Sequence, residues 1–530
     1  MVRGLIVGAV ALFVSTVAVA APGDAPLPTA LASGGARPVS LPESGAAAIL
    51  PLDAAAGDYV AGAIDVSQGS VTLDLVAPDG HSIRRLGAEI AGSQDFHFVA
   101  GEGGERLRIT AEEPARATLR LTRRLSPGEQ VTPPAYLSAR IAGLAAELSA
   151  GGTTDAFWAG IAEAGTPLIE PESEGKVVAT FLQRGARRNV RLFGAPSGDH
   201  EALERLGASD VWFKSFVIPD TTRLSYQLAP DVPDLPGDAR ERRAAIVSTA
   251  EADPLNRHPF PADAPDAYNR DSLLELPKAP EQLGLTGEAA PAGSLETIRV
   301  QSALLGNERR VSIYRPHGFD PGDKANRLLV LFDREPYLGT VPTPSILDRL
   351  IAAGRLPPVV AVFVSSIDRE TRGRELPDNP RFADFMALEL MPLVRDRIGA
   401  SVPPDRTILA GSSYGGLAAA TVALRHPGVF GNVLSLSGSF WWHSKDEAEG
   451  EEHVADWIAG MPPVPVRFHL TAGLFETGHA GSPGILETTR HLRTVLRAKG
   501  YDVSFEDYAG GHDYVVWRGA LVDGLMRLVQ

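Results

Sequence analysis

Thr407-Ile408-Leu409-Ala410-Gly411-Ser412-Ser413-Tyr414-Gly415-Gly416 runs from an apolar tetrad into a G-x-S-x-G motif, and a small-residue segment follows at 416–423. The motif alone carries little weight, because Gly and Ser are common residues. Its setting decides. The tetrad reads as a strand and 416–423 as a helix, so the serine falls on a tight strand-to-helix turn. Gly411 and Gly415 are expected to leave room for closely packed backbone there. Ser413 then projects above a sheet at the start of a helix, and the Tyr414 N–H faces the same point, where it stabilises a developing oxyanion. The plain alternative is a Gly-rich helix start with an incidental serine.

Outward from this turn, strands are predicted at 309–314, 327–332, 359–364, 432–436, 467–471 and 503–508. Helices are predicted at 343–353, 381–398 and 415–425. Short apolar strands interleaved with amphipathic helices indicate a mostly parallel, doubly wound α/β sheet over 293–530.

A serine at its ordinary pKa is inert without a base. The candidate is His512 in Gly510-Gly511-His512-Asp513, on the loop after the last strand, where a serine hydrolase of this chain order carries its histidine. His426, His443, His453, His469, His479 and His491 also follow the elbow, but none follows the last strand. The acid belongs after the strand 467–471, where Glu476 stands; Asp507 and Asp513 are rivals that chain order leaves open. A second oxyanion donor is expected from the loop after 327–332, as the backbone N–H of Arg334 or Glu335.

Composition narrows the chemistry. The 530 residues include no cysteine, which excludes disulfides, thiolate nucleophiles, iron–sulfur clusters and cysteine zinc sites. The net charge of −15 has the wrong sign for a nucleic-acid binder. There is no H-E-x-x-H, P-loop or Rossmann fingerprint, so neither a metal nor a cofactor is implied.

Upstream, Arg3, the apolar run 5–19 and Ala18-Val19-Ala20 read as a signal peptide over 1–20, which implies a periplasmic or secreted protein without membrane insertion after cleavage. A flexible Ala/Gly/Pro leader is expected over 21–38. Period-two patterning over 39–126 (SVTLDLV at 70–76, then 106–109 and 117–121) predicts a jelly-roll-like accessory β-sandwich. His81 and His97 are isolated in it. A helical linker is predicted over 127–165, with helices at 136–148 and from Phe157. Strand-like segments at 176–182, 190–193, 211–218 and 223–228 predict a second, Ig-like sandwich over 166–285, with a Pro-rich crossing after residue 230.

Several segments together resemble the enterochelin (ferric enterobactin) esterases, within the esterase-D-like α/β hydrolases. They are GSSYGGLAA (411–419), FGNVLSLSGSFWW (430–442), IDRETRGRELP (367–377), GGHDYVVWRGALV (510–522) and DPLN (253–256). The resemblance covers most of 295–530 and parts of 157–280. The predicted order is thus a C-terminal α/β-hydrolase domain preceded by two β-sandwich-type domains, and the resemblance implies that the second of these shapes the substrate entrance. It also implies a small-molecule ester substrate, the trilactone of a ferric catecholate siderophore, hydrolysed by Ser413 with His512. By the same resemblance Arg372 is a candidate for catecholate oxygens, or else pairs with Glu370 or Glu375. Trp441 and Trp442 are candidates for stacking on catechol rings, or for core packing. Three features depart from the family: the export signal, the β-rich region before residue 130, and Arg334 where a Gly is common. A feruloyl or carbohydrate ester, an acyltransfer reaction, and a non-catalytic siderophore- or glycan-binding protein are the alternative readings.

Overall fold

The computed structural model describes residues 30–131, 134–198, 200–448, 450–478 and 482–530. The signal segment 1–20, most of the leader and His479 lie outside these residues. The chain divides into two compact units, Met1–Pro134 and Ala135–Gln530.

The first unit has eight strands between Ala36 and Leu125 in two antiparallel four-stranded sheets. In the strand Ala115–Leu125, Ala115, Ala117, Leu119 and Leu121 point inward, and Leu107 and Ile109 do so from Arg106–Thr110. Residues of both sheets thus share one apolar cluster. The leader expected to run to residue 38 is shorter. Ala36–Leu41 pairs with the strand Ala115–Leu125, and Leu31 is buried in the cluster and bridged to Leu52. Tertiary pairing orders a segment whose composition alone favours flexibility.

The second unit begins with helices Ala139–Ser149 and Asp155–Ala164. They are not a linker. Ile141, Leu144, Phe157, Trp158 and Ile161 pack on Leu182, Val211 and Phe213 of a four-stranded sheet. The other face of that sheet shares a core with a second sheet built on Val190–Gly194, Arg223–Pro230 and Asp271–Glu275. Covering on both faces explains why residues 178–182, in the strand Lys176–Arg184, are buried without alternation. The strand Asp271–Glu275 and the helix Ala239–Val247, capped by Asp238, lie in the stretch expected to be only a crossing.

The chain then forms an eight-stranded sheet: β1 (Ser294–Ser302), β2 (Asn307–Arg315), β3 (Arg327–Phe332), β4 (Val359–Val364), β5 (Thr407–Ser412), β6 (Asn432–Leu436), β7 (Arg467–Gly473) and β8 (Val503–Tyr508). Its order is β1-β2-β4-β3-β5-β6-β7-β8. The sheet is mixed: β1 and β2 run antiparallel at one edge, and β3 to β8 are parallel. Alternate residues of the parallel strands feed two separate cores, with Val330 and Leu409 facing one and Leu331 and Ile408 the other. The helices Ile485–Ala498 and Tyr514–Leu528 are additional to the predicted set. The helix expected over 381–398 is interrupted by a π-helical turn, Phe385–Leu390, just before Pro392, which has no N–H to continue the α-helical ladder. Among the described residues no helix is long and apolar enough to cross a membrane.

Candidate active site

β5 is wholly buried and delivers Ser413 to the start of helix Tyr414–Arg425. Ser413 has φ 59° and ψ −124°, a conformation L residues seldom adopt, which the fold imposes through bonds from Ser413 N to Leu436 O (3.0 Å) and Ser439 N to Ser413 O (3.1 Å). The glycines that make this turn possible are Gly411 and Gly416 rather than Gly411 and Gly415. A Cβ on Gly411 would lie 2.6 Å from the backbone carbon of Gly415, and one on Gly416 2.6 Å from Ser435 Oγ. At Gly415 the nearest atom, Phe332 Cβ, is 3.4 Å away, an ordinary contact. Gly411→Ala should therefore lower unfolding stability by about 1–3 kcal/mol. Gly415→Ala should leave it unchanged or raise it by roughly 0.5 kcal/mol, as for Gly→Ala in a helix. Urea midpoints of the two variants check this, and equal losses would contradict it.

His512 sits on the loop after β8. Its Nδ1 bonds Glu476 Oε1 at 2.5 Å, and its ring meets Trp517 edge to face at 4.8 Å. Glu476, on the loop after β7, is buried, and its Oε2 accepts from Ser437 Oγ (2.7 Å) and Gly473 N (2.5 Å). Trp517 Nε1 in turn donates to Ser437 Oγ at 3.0 Å. Glu476 is the carboxylate bonded to the imidazole. Asp507 is engaged by Arg490 at 2.6 Å, and Asp513 caps the helix Tyr514–Leu528. With Nδ1 donating to Glu476, Nε2 is the nitrogen left for proton exchange. Ser413 and His512 border one cleft of about 450 Å³. Ser439 Oγ lies 3.4 Å from Ser413 Oγ.

Among the described residues, the other histidines after the elbow are engaged elsewhere. His426 meets Asp384 at 2.9 Å, His453 bonds Asp378 and Glu447, and His491 meets Glu452 at 2.9 Å. His443 Nδ1 lies 3.0 Å from the Ser444 carbonyl. His469 is buried on β7 against Ser504, and burial pushes its pKa down to about 4.

Asp333, after β3, is left-handed at φ 57° and opens the short helix Arg334–Leu338. As first residues of their helices, Arg334 and Tyr414 have no carbonyl one turn back for their N–H groups. The Arg334 side chain is occupied by β2 and its neighbour, donating to Ser312 Oγ at 2.7 Å and to Glu335 at 3.1 Å. Arg372 lines the cleft but pairs with neither Glu370 nor Glu375: it clamps Asp333 through Nε (2.8 Å) and Nη2 (2.7 Å). Trp441 is 40% exposed and tilts on the Tyr414 ring. Trp442 turns against the main core and stands edge-on to His453, lining neither cavity beside His512, because the apolar packing under helix His453–Gly460 takes it.

Residues of the upstream sheets complete the cleft; Ser225 and Asp271 were not among the residues that sequence patterns singled out. Ser225 N donates to Asp513 Oδ2 at 3.0 Å, and Arg223 N donates to Ala509 O at 2.9 Å. The two glycines before His512 are sites of close approach: a Cβ on Gly510 would lie 2.6 Å from Arg223 O, and one on Gly511 2.4 Å from Ala195 Cβ. Asp271 also lines the cleft, and burial, then the nearby Asp513 charge, pushes its pKa up to about 6. A carboxyl raised in the folded state favours folding at low pH, and that advantage is lost as pH rises from about 4 through about 6. Asp271→Asn should thus be neutral at pH 4 and more stable by roughly 2 kcal/mol at pH 7.5. Urea titrations at the two pH values read the difference; an equal shift at both would contradict it.

A serine hydroxyl at a strained turn, lining one cleft with an imidazole held by a buried carboxylate, is equipped for acyl transfer. The Esterase family model matches residues 302–528, and the enterochelin esterase N-terminal model matches 178–285. The iron(III) enterobactin esterase of Dickeya dadantii (strain 3937) is 33% identical over 411 residues, spanning 71% of this chain and 93% of that protein. The chain belongs to the enterochelin esterase family. Its chemistry is that of an ester hydrolase. The iron(III) enterobactin esterase of Escherichia coli (strain K12) is 32% identical over 339 residues, covering 62% of this esterase and 82% of that one. The crystal structure of the ferric enterobactin esterase from Salmonella typhimurium superposes with TM-score 0.58 at 30% identity, covering 71% of this chain and 98% of that one. Both family models begin after residue 177, so the strands of the first unit fall outside them.

Proposed function

We propose that this esterase hydrolyses the ester bonds of a catecholate siderophore trilactone such as ferric enterobactin, through an acyl-enzyme on Ser413. The observation that carries the reading is the 2.5 Å bond from His512 Nδ1 to Glu476, beside the cleft that holds the elbow serine. Relatives named iron(III) enterobactin esterases supply the substrate class. Ser413 Oγ attacks the lactone carbonyl as its proton passes to His512 Nε2, and Glu476 stabilises the imidazolium. The amides of Tyr414 and Arg334 receive the oxyanion. The C–O bond breaks, His512 protonates the leaving alkoxide, and water repeats the sequence to free the acid and Ser413. Trp441 offers a ring face on the adjoining cavity, and Arg372 holds the Asp333 turn.

Mass analysis of products from ferric and iron-free enterobactin, beside simple aryl and feruloyl esters, tests this reading. Linear trimer, dimer and monomer acids are expected. Turnover confined to the aryl or feruloyl esters would overturn it.

The residues of 1–20 support export, with the jelly-roll-like module of the first unit as an accessory domain. A mature N-terminus at Ala21 in a periplasmic or secreted fraction is expected, and intact Met1 in the cytosol would contradict it.

A further inference from the structure

A chain of net charge −15 repels a polyanion, so a trianionic ferric tris-catecholate needs a local source of positive charge. Arg372 does not supply it, because both of its bonds to Asp333 neutralise it in place. The cleft of Ser413 adjoins a second cavity of about 710 Å³, and the two share Ser225, Asp271, His512 and Asp513 on their walls. The far wall of this second cavity comes from the upstream sheets and carries Phe193, His200 and Arg243. The rings of Phe193 and His200 are stacked at 4.6 Å and 22°. The Arg243 guanidinium lies 5.1 Å from the centre of the Phe193 ring and 2.7 Å from His200 Nε2. Among the described residues Arg243 has no carboxylate partner, whereas Glu476, Asp271 and Asp513 on the same walls are bonded to His512, Ser225 Oγ and Ser225 N. Arg369, at the start of helix Arg369–Glu375, adds a like charge that disfavours the Arg243 cation after burial has done so. A cation disfavoured by burial and by a like charge is stabilised when an anion joins it.

We propose that Arg243, with the Phe193–His200 stack and Trp441, forms a subsite that holds one catecholate arm of the iron-loaded substrate while the trilactone reaches Ser413. The inference rests on the siderophore reading above and deepens it. A planar guanidinium fork matches the two adjacent oxygens of a catecholate. The flat ring gains from stacking on the aromatic wall. The Arg243 cation favours the trianionic ferric complex over the iron-free ligand, whose catechols are largely protonated at neutral pH.

The test separates binding from hydrolysis. Ferric and iron-free enterobactin are titrated into Ser413→Ala protein, with tryptophan fluorescence quenching as the signal. Adding Arg243→Ala is expected to weaken ferric enterobactin at least tenfold and the iron-free ligand by no more than about twofold. It should also flatten the rise of the ferric Kd with salt. Arg243→Lys is expected to restore the salt dependence but only part of the affinity, because it lacks the fork. Equal Kd values with and without Arg243, in a variant of unchanged thermal midpoint, overturn the subsite. Tight, Arg243-dependent ferric binding without turnover by the native enzyme would leave the subsite standing and remove the hydrolytic reading.

Discussion

Ser413→Ala should lower kcat on an activated aryl ester by roughly 10⁴–10⁶-fold while the protein remains folded. The substitution removes one oxygen and leaves the backbone requirement as it was, since alanine is no more strained than serine at φ 59°. No neighbouring hydroxyl can take over. Ser412 is buried within β5, and Ser439 stands 3.4 Å from Ser413 Oγ with its own backbone tied to the Ser413 carbonyl. The residual rate reflects binding and the oxyanion amides alone. Steady-state kinetics beside a thermal midpoint make the comparison, and a loss of less than a hundredfold would place the nucleophile elsewhere.

Glu476→Gln should cost about 10³–10⁴ in kcat with little change in KM. Both donors to Oε2, Ser437 Oγ and Gly473 N, require an acceptor. A glutamine must keep its oxygen there and turn its NH₂ toward His512. The imidazole then accepts at Nδ1 and carries its proton on Nε2, so it cannot take the serine proton. Gln remains close in size, so packing around the buried side chain survives. A loss below tenfold would show that a serine–histidine dyad suffices.

The parts of this site that local patterns encode were legible from residues alone. The strand, elbow and helix at 407–425 are contiguous, and Ser413 and His512 each follow a strand, whereas chain order left Glu476 beside the rivals Asp507 and Asp513 until the bond to His512 distinguished it. Long-range pairing was not legible. Arg372 meets Asp333 across 39 positions, and nothing near either residue marks the partner. Gly415 looked as necessary as Gly411 because motif spacing does not reveal which backbone lies within 3 Å. Trp441 and Trp442 are adjacent and chemically alike, yet one is tilted on Tyr414 and the other joins the core. The helices of 139–164 read as a linker because their apolar stripes are short, and only the sheet they cover shows where those stripes go.

The contacts around Gly510 and Gly511 bear on how this enzyme is inherited. The turn that presents His512 is pressed from outside the hydrolase domain by Ala195 and Arg223 and latched by Ser225 to Asp513. A chain trimmed to 293–530 would keep Ser413, Glu476 and His512 and lose one side of the mould in which the histidine loop is set. The upstream sheets and the turn at Gly510 and Gly511 are therefore fitted to each other, so replacing those sheets by a relative's would be expected to disturb turnover as well as selectivity unless the matching glycine turn is replaced with them.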